Sequence, residues 1–380
     1  MKSTFSIKPI LLGIIILLLN SCNSEMKMQV KLESTTPVFI SGSDGYACFR
    51  IPAIISLANG DLLAFAEGRV GGCSDTGDID LVMKRSKDHG ATWGPIQIIW
   101  NDATNTCGNP APVVDRNSGD IHLLSTWNLG EDHESEIIAG TSTDTRRVFH
   151  ISSQDNGNSW LAPKDITATV KDPSWTWYAT GPGSGIQLSH SNNKGRLVIA
   201  CDHIEAESKK YYSHAIYSDD NGLNWKLGGT TPKDQVNECE VVELSDGRLL
   251  INMRNYDRNN KLRQIAFSED GGITWKDQKF DSQLIEPICQ ASILSHSFQD
   301  KNLLLFSNPA STDKRANMSL RISYDQGISW TDSIELHIGP SAYSDLVVDQ
   351  NKQIGCLFEM GDKSPYEQIA IAKINFSSRN

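Results

Sequence analysis

Charged and polar side chains recur after similar apolar stretches of the sequence, and these residues are candidates for chemistry. Guanidinium groups bind planar anions through charge-assisted hydrogen bonds, and carboxyl groups exchange protons. The positions are Glu67 and Arg69 after the first stretch, Asp202 after the third, Arg254 after the fourth, Asn308 and Arg315 after the fifth and Glu359 after the sixth, with Arg50 ahead of the first. A purely structural repeat needs no charges at one fixed place, so the pattern predicts a site where these segments meet.

The six apolar stretches each begin at a turn and continue as a segment typical of a buried β-strand. They read G-D-L-L-A-F-A (60–66), G-D-I-H-L-L-S (119–125), G-R-L-V-I-A-C (195–201), G-R-L-L-I-N-M (247–253), K-N-L-L-L-F-S (301–307) and K-Q-I-G-C-L-F (352–358). Repeats of roughly 40–50 residues with several strands each are typical of β-propeller blades. We interpret the stretches as the inner strands of the blades.

A second repeat of eight residues alternates with the first and occurs five times. Its copies are S-K-D-H-G-A-T-W (86–93), S-Q-D-N-G-N-S-W (153–160), S-D-D-N-G-L-N-W (218–225), S-E-D-G-G-I-T-W (268–275) and S-Y-D-Q-G-I-S-W (323–330). Asp accepts backbone hydrogen bonds inside tight turns, Gly supplies a positive φ, and Trp buries a large apolar surface. Because β-type segments precede each copy, we interpret this box as a strand-to-strand turn with a structural role.

Together the two repeats predict an all-β fold, a six-bladed β-propeller that forms a single catalytic domain over residues 36–380. The sixth repeat lacks a box, and we expect the N-terminal segment P-V-F-I (37–40) to close the ring. A closed ring leaves no edge strands. Two stacked β-sandwiches are the alternative, and they explain the regular spacing less well.

The formal net charge of −11 and the absence of a basic stripe argue against a nucleic-acid partner. An anion site in such a chain must be local, because the overall field repels anions. The nine His show no metal-binding pattern, and the cysteines show no C-x-x-C spacing. We therefore expect no metal and no cofactor.

The first residues resemble an export signal. Lys2 and Lys8 precede the apolar run from Ile10 to Leu19, which is too short to span a bilayer as a helix. The run ends in L-N-S-C, which resembles a bacterial lipobox with lipidation at Cys22; an ordinary signal peptide is the alternative. We expect a lipoprotein signal peptide at 1–21, a tether at 22–35, and an exported protein that contacts a bacterial membrane by its lipid anchor only.

Five further motifs occur in order along the chain. They are F-R-I-P (49–52), N-E-C-E (237–240), M-R-N (253–255), S-N-P-A-S-T-D-K-R (307–315) and A-Y-S-D-L (342–346). With the boxes, they resemble the sialidase (neuraminidase) family over about residues 45–374. The resemblance implies a six-bladed propeller that releases terminal sialic acid from glycans with retention of configuration, so sialylated glycans or glycoproteins are the expected partners.

The resemblance also implies roles for individual residues. It assigns the substrate's carboxylate to Arg50, Arg254 and Arg315, the nucleophile to Tyr343, the base that activates it to Glu238, the acid/base to Asp75, the support of the first arginine to Glu359 and a contact with the sugar's substituents to Arg69. These assignments require the three guanidinium groups to lie together beside the phenol of Tyr343.

A tyrosine nucleophile suits a sugar that carries a carboxylate on its anomeric carbon. A carboxylate nucleophile would be repelled there, and sialidases are the tyrosine exception among retaining glycosidases. Phenol has a pKa of about 10, so Tyr343 needs a base, and nearby arginines should favour the phenolate. Three arginines would supply planar donors for the substrate's carboxylate, each hydrogen bond contributing about 1.5–3 kcal/mol.

Several alternatives stay open in the sequence. Asp78 and Asp80 lie close to Asp75 and could be the acid, and Glu240 and Glu243 follow Glu238. The segment W-T-W-Y-A-T-G-P-G (175–183) could be a buried wall or a sugar platform; its Gly–Pro turn suggests a loop in which Tyr178 lines the pocket. Asn109 could reach the sugar's hydroxyl groups.

Three activities fit these residues. Exo-acting hydrolysis of sialic acid is the leading hypothesis, and a trans-sialidase or an intramolecular trans-sialidase would share its chemistry up to the tyrosyl intermediate. A non-catalytic glycan-binding propeller is the rival from another class. That role needs the arginines but not Tyr343, Glu238 and Asp75 together, which favours the enzyme.

Overall fold

The structure is a computed structural model that describes Met1 and residues 28–190, 192–299 and 301–378. Cys22 and the predicted signal peptide lie outside the described residues. The described part is almost entirely β, with two short helices. No helix in this part is long and apolar enough to cross a bilayer.

The strands follow one another in short antiparallel runs. The N-terminal strand is β1 (Met28–Ile40). The next run is β2 (Cys48–Ser56), β3 (Leu62–Arg69), β4 (Ile79–Ser86) and β5 (Gln97–Trp100). It is followed by β6 (Thr106–Val114), β7 (Ile121–Asn128), α1 (Glu134–Ala139), β8 (Arg147–Ser153), β9 (Lys164–Asp165) and α2 (Thr167–Val170). The third run is β10 (Trp175–Thr180), β11 (Ile186–Gln187), β12 (Leu197–Glu205), β13 (Tyr211–Ser218) and β14 (Lys226–Thr230).

The second half of the chain continues in the same way. The fourth run is β15 (Val236–Glu243), β16 (Leu249–Asn255), β17 (Leu262–Ser268) and β18 (Lys276–Ile285). The fifth is β19 (Ser292–Phe298), β20 (Lys301–Pro309), β21 (Ala316–Ser323) and the first half of β22 (Asp332–Val348). The second half of β22 pairs with β23 (Ile354–Met360), which pairs with β24 (Gln368–Ser378).

Strand β1 completes the last run, because it pairs antiparallel with β24 along its length. The predicted closing segment 37–40 lies in this strand, with Pro37 opposite Ala370 and Ile40 opposite Gln368. The predicted tether was too long, since residues 28–35 also belong to β1. Their alternation of polar and apolar residues, M-Q-V-K-L-E, is the period of a strand.

The apolar core is divided into clusters that lie between neighbouring runs of strands. One cluster joins the first and second runs, others join each following pair, and another joins the last run to the first through residues such as Phe39, Ala66 and Leu357. Sheets that pack face to face around a closed circle form a β-propeller. The predicted all-β propeller is confirmed, and the count of six blades stays a prediction with which the strand pairing of residues 28–378 agrees.

The repeated apolar stretches form the second strand of each run counted from the axis, not the innermost one as predicted. In the third run this strand is β12, because β10 and the short β11 both pair with its inner edge. The innermost strands are the first ones, because β2 contacts β6 and β22, and β19 contacts β15 and β22. Side chains also cross between these strands: Asp345 accepts a hydrogen bond from the backbone N–H of Ile54, and Glu240 from that of Ile293. Second strands are as buried as first strands, so their apolar sequence could not distinguish the two positions.

The five boxes form turns of one geometry, as predicted. In the first box the Ser86 hydroxyl accepts a hydrogen bond from the Gly90 N–H at 2.8 Å, and Asp88 accepts one from the Thr92 N–H at 2.8 Å. The glycine has a φ of +80°. Each box joins the third strand of its run to the next strand, so all five lie at the same end of the molecule, away from the end of β3 at Arg69.

Candidate active site

Irregularities in four inner strands position side chains at the end of the propeller opposite the boxes. The pairing register shifts between Arg50 and Ala53 in β2, Gly108 and Ala111 in β6, Val236 and Cys239 in β15, and Ser341 and Ser344 in β22. A β-bulge re-aims the side chains beside it. The shifts therefore turn Arg50, Asn109, Glu238 and Tyr343 out of the regular strand pattern at one end.

A polar cleft opens at this end, and residues from distant parts of the chain line it. They are Arg50, Ile51, Glu67, Arg69, Asp75, Asn109, Glu134, Arg146, Trp177, Ala179, Asp202, Asn237, Glu238, Arg254, Tyr256, Arg315 and Tyr343. All three predicted carboxylate-binding arginines and all three predicted catalytic residues are among them. The cleft thus contains both strong cations and acids, the groups needed to bind an anionic substrate and to move protons.

The phenol of Tyr343 lies in a hydrogen-bonded chain with two of the predicted residues. Its hydroxyl donates to Glu238 Oε1 at 2.6 Å. Arg254 Nη1 donates to Glu238 Oε2 at 2.5 Å and to the Tyr343 hydroxyl at 3.0 Å. Glu238 therefore accepts a hydrogen bond from the phenol, which is the contact that a base for this hydroxyl must make.

The pKa of Tyr343 is raised well above its usual value, first by burial and then by the negative charge of Glu238. Arg254, Arg315 and Arg50 act in the opposite direction, as predicted, but they do not outweigh burial. The phenol is thus protonated at neutral pH. Its reactivity as a nucleophile depends on proton transfer to Glu238 rather than on a standing phenolate.

The three predicted arginines converge around the same tyrosine. The guanidinium carbons of Arg50 and Arg315 lie 4.9 Å and 5.4 Å from the centroid of the Tyr343 ring. Tyr366 completes this corner: its hydroxyl accepts a hydrogen bond from Arg315 Nη1 at 2.9 Å, and its ring lies 4.2 Å from the Arg50 guanidinium carbon. Nothing in the sequence reasoning pointed to Tyr366, because no repeat or motif contains it.

Glu359 holds Arg50 in place through two parallel hydrogen bonds. Arg50 Nε donates to Oε1 at 3.0 Å and Nη2 donates to Oε2 at 3.2 Å. The same carboxylate accepts the backbone N–H groups of Ile51, at 2.9 Å, and of Tyr343, at 3.1 Å. Ile51 lies at the register shift of β2 and has a φ of +59°, an unfavourable value for a β-branched residue. The Glu359 carboxylate therefore helps to hold a strained backbone conformation beside the site.

Asp75 lies on the loop between β3 and β4, and its side chain is 63% exposed. Its Oδ1 lies 2.7 Å from Arg69 Nη1 and 3.3 Å from Arg50 Nη1. Burial acts to raise the pKa of Asp75, but the charges of Arg69 and Arg50 prevail and lower it from its usual value. Without substrate this residue is therefore a carboxylate, paired with the cations of the cleft.

The structure separates the alternatives that the sequence left open. Asp80 accepts hydrogen bonds from the Tyr46 hydroxyl and from Asn101, and neither it nor Asp78 lines the cleft. Glu240 bonds Ser292 and the Ile293 backbone near the axis of the molecule. Glu243 binds the backbone N–H groups of residues 189 and 190. Among these acids, only Asp75 and Glu238 reach the cleft.

Arg69 and Asn109 line the cleft, but most of their polar atoms are bonded to protein. Arg69 donates to Glu67 at 2.9 Å through Nε, and to the Cys73 and Ser74 carbonyls at 2.8 and 2.9 Å through Nη1. Asn109 Oδ1 accepts from Thr126 at 2.9 Å. The predicted sugar contacts of these two residues stay predictions, and the observed role of both is to fix neighbouring groups.

Tyr178 does not line the cleft, and this prediction was wrong. Its side chain is fully buried among the apolar residues between the second and third runs. The segment is strand β10 rather than a loop, so successive side chains point to opposite faces. Trp177 and Ala179 consequently face the cleft in place of Tyr178.

Sequence reasoning missed a second group of cleft residues at the side of Trp177. Buried Arg146 donates to Asn109 and Asn128, and its guanidinium carbon lies 4.4 Å from the Trp177 ring centroid. Glu134, on α1, faces the same space, and burial raises the pKa of its carboxyl group. Arg146 adjoins Arg147 in a segment outside both repeats, so no spacing in the sequence distinguished it.

Among the described residues, no group of three or more His, Cys, Asp or Glu side chains is arranged to hold a metal ion. A disulfide joins Cys48 to Cys73, a pairing that the sequence left undetermined. The other described cysteines, at 107, 201, 239, 289 and 356, are free and buried.

Comparison with known proteins gives concordant matches. The family model described as BNR repeat-like domain matches residues 60–356. A sialidase of Bacteroides fragilis is 30% identical over 340 residues, covering 84% of this chain, which spans 61% of that protein's length. An exo-alpha-sialidase of Arthroderma benhamiae is 31% identical over 349 residues, and the match covers 85% of this chain and 81% of the length of that protein. The solved structure of the Hadza microbial sialidase Hz136 superposes with a TM-score of 0.81 at 29% identity, covering 90% of this chain and 68% of that one.

Proposed function

The chain belongs to the sialidase family, and from this premise we propose that it is an exo-acting, retaining sialidase that hydrolyses terminal sialic acid from glycoconjugates through a tyrosyl intermediate. The observation that carries the proposal is the 2.6 Å hydrogen bond from the Tyr343 hydroxyl to Glu238, set among three guanidinium groups. A glycan receptor would need the cations but not a phenol already paired with its base.

Binding begins with the carboxylate of the sugar. Arg315 supports this step, because its hydrogen-bond partners are a tyrosine hydroxyl and the Ile288 carbonyl, and no carboxylate in the described part of the chain forms an ion pair with it. Arg50 is paired with Glu359 on one side and reaches Asp75 with the remaining Nη1. The substrate's carboxylate would replace Asp75 at this nitrogen and place the anomeric carbon near the phenol of Tyr343.

In the first chemical step the Tyr343 oxygen attacks the anomeric carbon and its proton passes to Glu238. The bond to the leaving oxygen breaks, and Asp75 donates a proton to that oxygen. Asp75 is ionised in the free cleft, but the substrate's carboxylate would offset the charge of Arg50 and so favour the protonated acid. The mechanism thus couples binding to the preparation of the acid.

In the second step Asp75, now a carboxylate, accepts a proton from a water molecule that attacks the anomeric carbon. The bond to the Tyr343 oxygen breaks, and the phenol recovers its proton from Glu238. Two displacements at one carbon give net retention of configuration. Both protons return to their starting groups, so the enzyme leaves the cycle unchanged.

The experiment that tests the proposal is incubation with α2,3- and α2,6-linked sialyllactose, followed by NMR of the products. We expect free sialic acid, with the α-anomer formed first, and unequal rates that reveal the preferred linkage. An anhydro-sugar would indicate an intramolecular trans-sialidase instead, and sialic acid transferred to a second lactose would indicate a trans-sialidase. No turnover, with retained binding, would support the glycan receptor.

We also propose that the protein is exported and held at a bacterial membrane by lipid on Cys22. The support is the sequence alone, an apolar run that ends in L-N-S-C. Expression in a bacterial host with a radiolabelled fatty acid tests this. We expect label and detergent-phase partitioning in the wild type and neither in Cys22→Ala, whereas label in both would exclude this lipidation site.

A further inference from the structure

The loop that carries Asp75 joins the end of β3 at Arg69 to the start of β4 at Ile79. Its second half contacts the propeller, because the Gly77 carbonyl accepts a hydrogen bond from Thr106 Oγ1 at 2.9 Å and Thr76 Oγ1 lies 3.2 Å from His133 Nδ1. In its first half, a Cβ on Gly71 or Gly72 would meet no atom within 4 Å beyond the chain neighbours. A glycine-rich exposed segment has many conformations of similar energy. Its catalytic residue therefore needs a specific anchor.

The disulfide supplies a covalent anchor at the middle of this loop. Cys73 lies two residues before Asp75, and its partner Cys48 is fully buried at the start of β2. Cys48 pairs with Arg69 in the register of β2 and β3 and precedes Arg50 by two residues. The bond thus ties the loop to the strand that carries one of the two arginines contacting Asp75.

Arg69 reinforces the same anchor without a covalent bond. Its Nη1 donates to the carbonyls of Cys73 and Ser74 and lies 2.7 Å from Asp75 Oδ1. A hydrogen bond from the Val70 N–H to the Asp78 carbonyl at 3.0 Å joins the two ends of the loop, and Thr106 holds the Gly77 carbonyl, so these contacts lie outside residues 73–75. The disulfide and Arg69 therefore act together on residues 73–75.

We propose that the Cys48–Cys73 disulfide is a positioning element for proton transfer, which keeps the Asp75 carboxyl group within reach of the leaving oxygen. This inference rests on the proposed function, because it assumes that Asp75 is the acid. Without the crosslink the loop would sample more conformations, and the fraction with Asp75 in place would fall. Misplacement of a catalytic group by about 1 Å can lower a rate by about 100-fold.

The leaving group of the substrate distinguishes positioning of an acid from general stability. Sialyllactose releases a sugar alkoxide, which requires protonation. A 4-nitrophenyl sialoside releases an acidic phenol, which leaves without it. In the Cys48→Ala/Cys73→Ala variant we expect kcat/KM to fall by about 10- to 100-fold for sialyllactose and by less than about 3-fold for the aryl sialoside. Asp75→Ala should show the same selectivity with larger losses.

A double-mutant cycle tests whether the disulfide acts through Asp75. Adding the two cysteine substitutions to Asp75→Ala should cause no further loss on sialyllactose, because a displaced loop no longer matters once its acid is absent. Cys73→Ser is the second variant, since it removes the crosslink at an exposed position and leaves the buried Cys48 intact. Ile322→Val, in the core far from the cleft, is the control for a modest loss of stability.

Two results would overturn the inference. Equal losses on both substrates, in proportion to the fall in Tm and matched by Ile322→Val, would show that the disulfide only stabilises the fold. Unchanged activity in both crosslink-free variants would show that the noncovalent contacts of the loop, those of Arg69 among them, suffice to hold Asp75 in place. Failure of the proposed function is distinct, because the wild type itself would then release sialic acid from neither substrate.

Discussion

The two ends of the propeller are built on opposite principles. At the end with the boxes, each turn is closed by hydrogen bonds that span two to four residues, such as Ser323 to Asp325 and Gly327 to Ser323. At the end with the cleft, the decisive contacts span 105 residues for Tyr343 and Glu238 and 309 for Arg50 and Glu359. Local turns can therefore form early and independently, whereas the cleft exists only when the ring is closed.

This difference between the two ends predicts that one end contributes mainly to the stability of the fold and the other to the chemistry of the site. A box closes its turn with hydrogen bonds among its own residues and has further contacts only at the same end of the molecule, such as that of the Trp330 N–H with Gln283, so its loss should weaken the fold without altering the cleft. The cleft concentrates buried charges whose partners are distant, and such charges are expensive to leave unpaired. Substitutions at the two ends should consequently change different measured quantities, and this expectation can be tested in order of effect.

The largest effect is expected from Tyr343→Phe. The substitution keeps the ring between Arg50 and Arg315 and removes only the oxygen that is the proposed nucleophile. We expect kcat to fall by about 1,000-fold or more, since removal of a nucleophile disables the whole unit. The Tm should change by no more than a few degrees, because Glu238 keeps its bond to Arg254. Unchanged turnover of sialyllactose would remove this residue from the mechanism.

Arg315→Lys should give the next largest effect, and Arg50→Lys is its matched comparison. Lysine lacks the planar fork, so we expect kcat/KM to fall by about 10- to 150-fold in both variants. Only Arg50→Lys should also lower the Tm, because Glu359 is fully buried and would lose its paired donors. Thermal melts and kinetics of the two proteins together check this. A similar drop in Tm for both would mean that the Arg315 contacts are structural as well.

The same contrast explains what the sequence could reveal. The boxes were interpretable from eight letters because the hydrogen bonds that close each turn, from Ser and Asp to residues two to four positions away, are internal. The charged residues of the cleft are predicted partly by their positions after the repeated strands and partly by the family motifs. The sequence leaves Asp78 and Asp80 open beside Asp75, because the conformation of their loop cannot be derived from its letters. Arg146 and Tyr366 were missed because they acquire their roles only from neighbours far away in the chain.

The position of a strand within its run is the other feature that the sequence does not reveal. The apolar repeats predicted strands correctly but assigned them to the inner circle, since burial on both faces looks the same in the first and second strands of a run. The prediction that Tyr178 lines the cleft was wrong for a related reason. An alternating pattern shows which residues share a face of the strand but not which face meets the cleft. The aromatic side chain that faces the cleft is therefore Trp177, one residue before the predicted Tyr178.

A pair of histidines beside the third box, buried His122 and half-buried His150, should make stability depend on pH. His122 Nδ1 and His150 Nε2 lie 3.0 Å apart, near the ring of Trp225, and burial lowers the pKa of His150 to about 3. The unfolded chain, with a pKa near 6.5, takes up the proton first as the pH falls. This stability is therefore complete above about pH 6.5 and is lost progressively toward pH 3.

Urea unfolding at pH 6.5 and pH 5 measures the effect. We expect a loss of about 2 kcal/mol from His150, at about 1.4 kcal/mol per pH unit, while kcat/KM for an aryl sialoside, corrected for the folded fraction, follows only the cleft groups. His150→Gln should keep a hydrogen-bonding partner for His122 and remove the part of the slope that His150 contributes, while His203, His214 and His296, whose pKa values are also lowered by burial, keep theirs. An equal slope in the variant would assign the pH dependence to other groups.

The smallest predicted effect is the most direct test of the contrast between the two ends. Asp325 in the fifth box accepts hydrogen bonds from the Ser329 N–H at 2.8 Å and the Ser323 hydroxyl at 2.8 Å. Asp325→Ala should lower the free energy of unfolding by about 1–2 kcal/mol and the Tm by a few degrees, with kcat/KM unchanged.

Glu269→Ala is the matched control, because it lies at a variable position of the fourth box and makes only an exposed ion pair with Lys276. We expect no measurable change in its Tm. The hydrogen bonds that Asp325 forms with Ser323 and Ser329 end within its own box, and the box bonds the fourth run through Trp330 and Gln283. A change in kcat/KM with Asp325→Ala would therefore have to reach the cleft through the strands of the fourth or fifth run. Such a result would mean that the turns at one end of the propeller influence the positions of the strands at the other end, so that the two ends are coupled rather than independent.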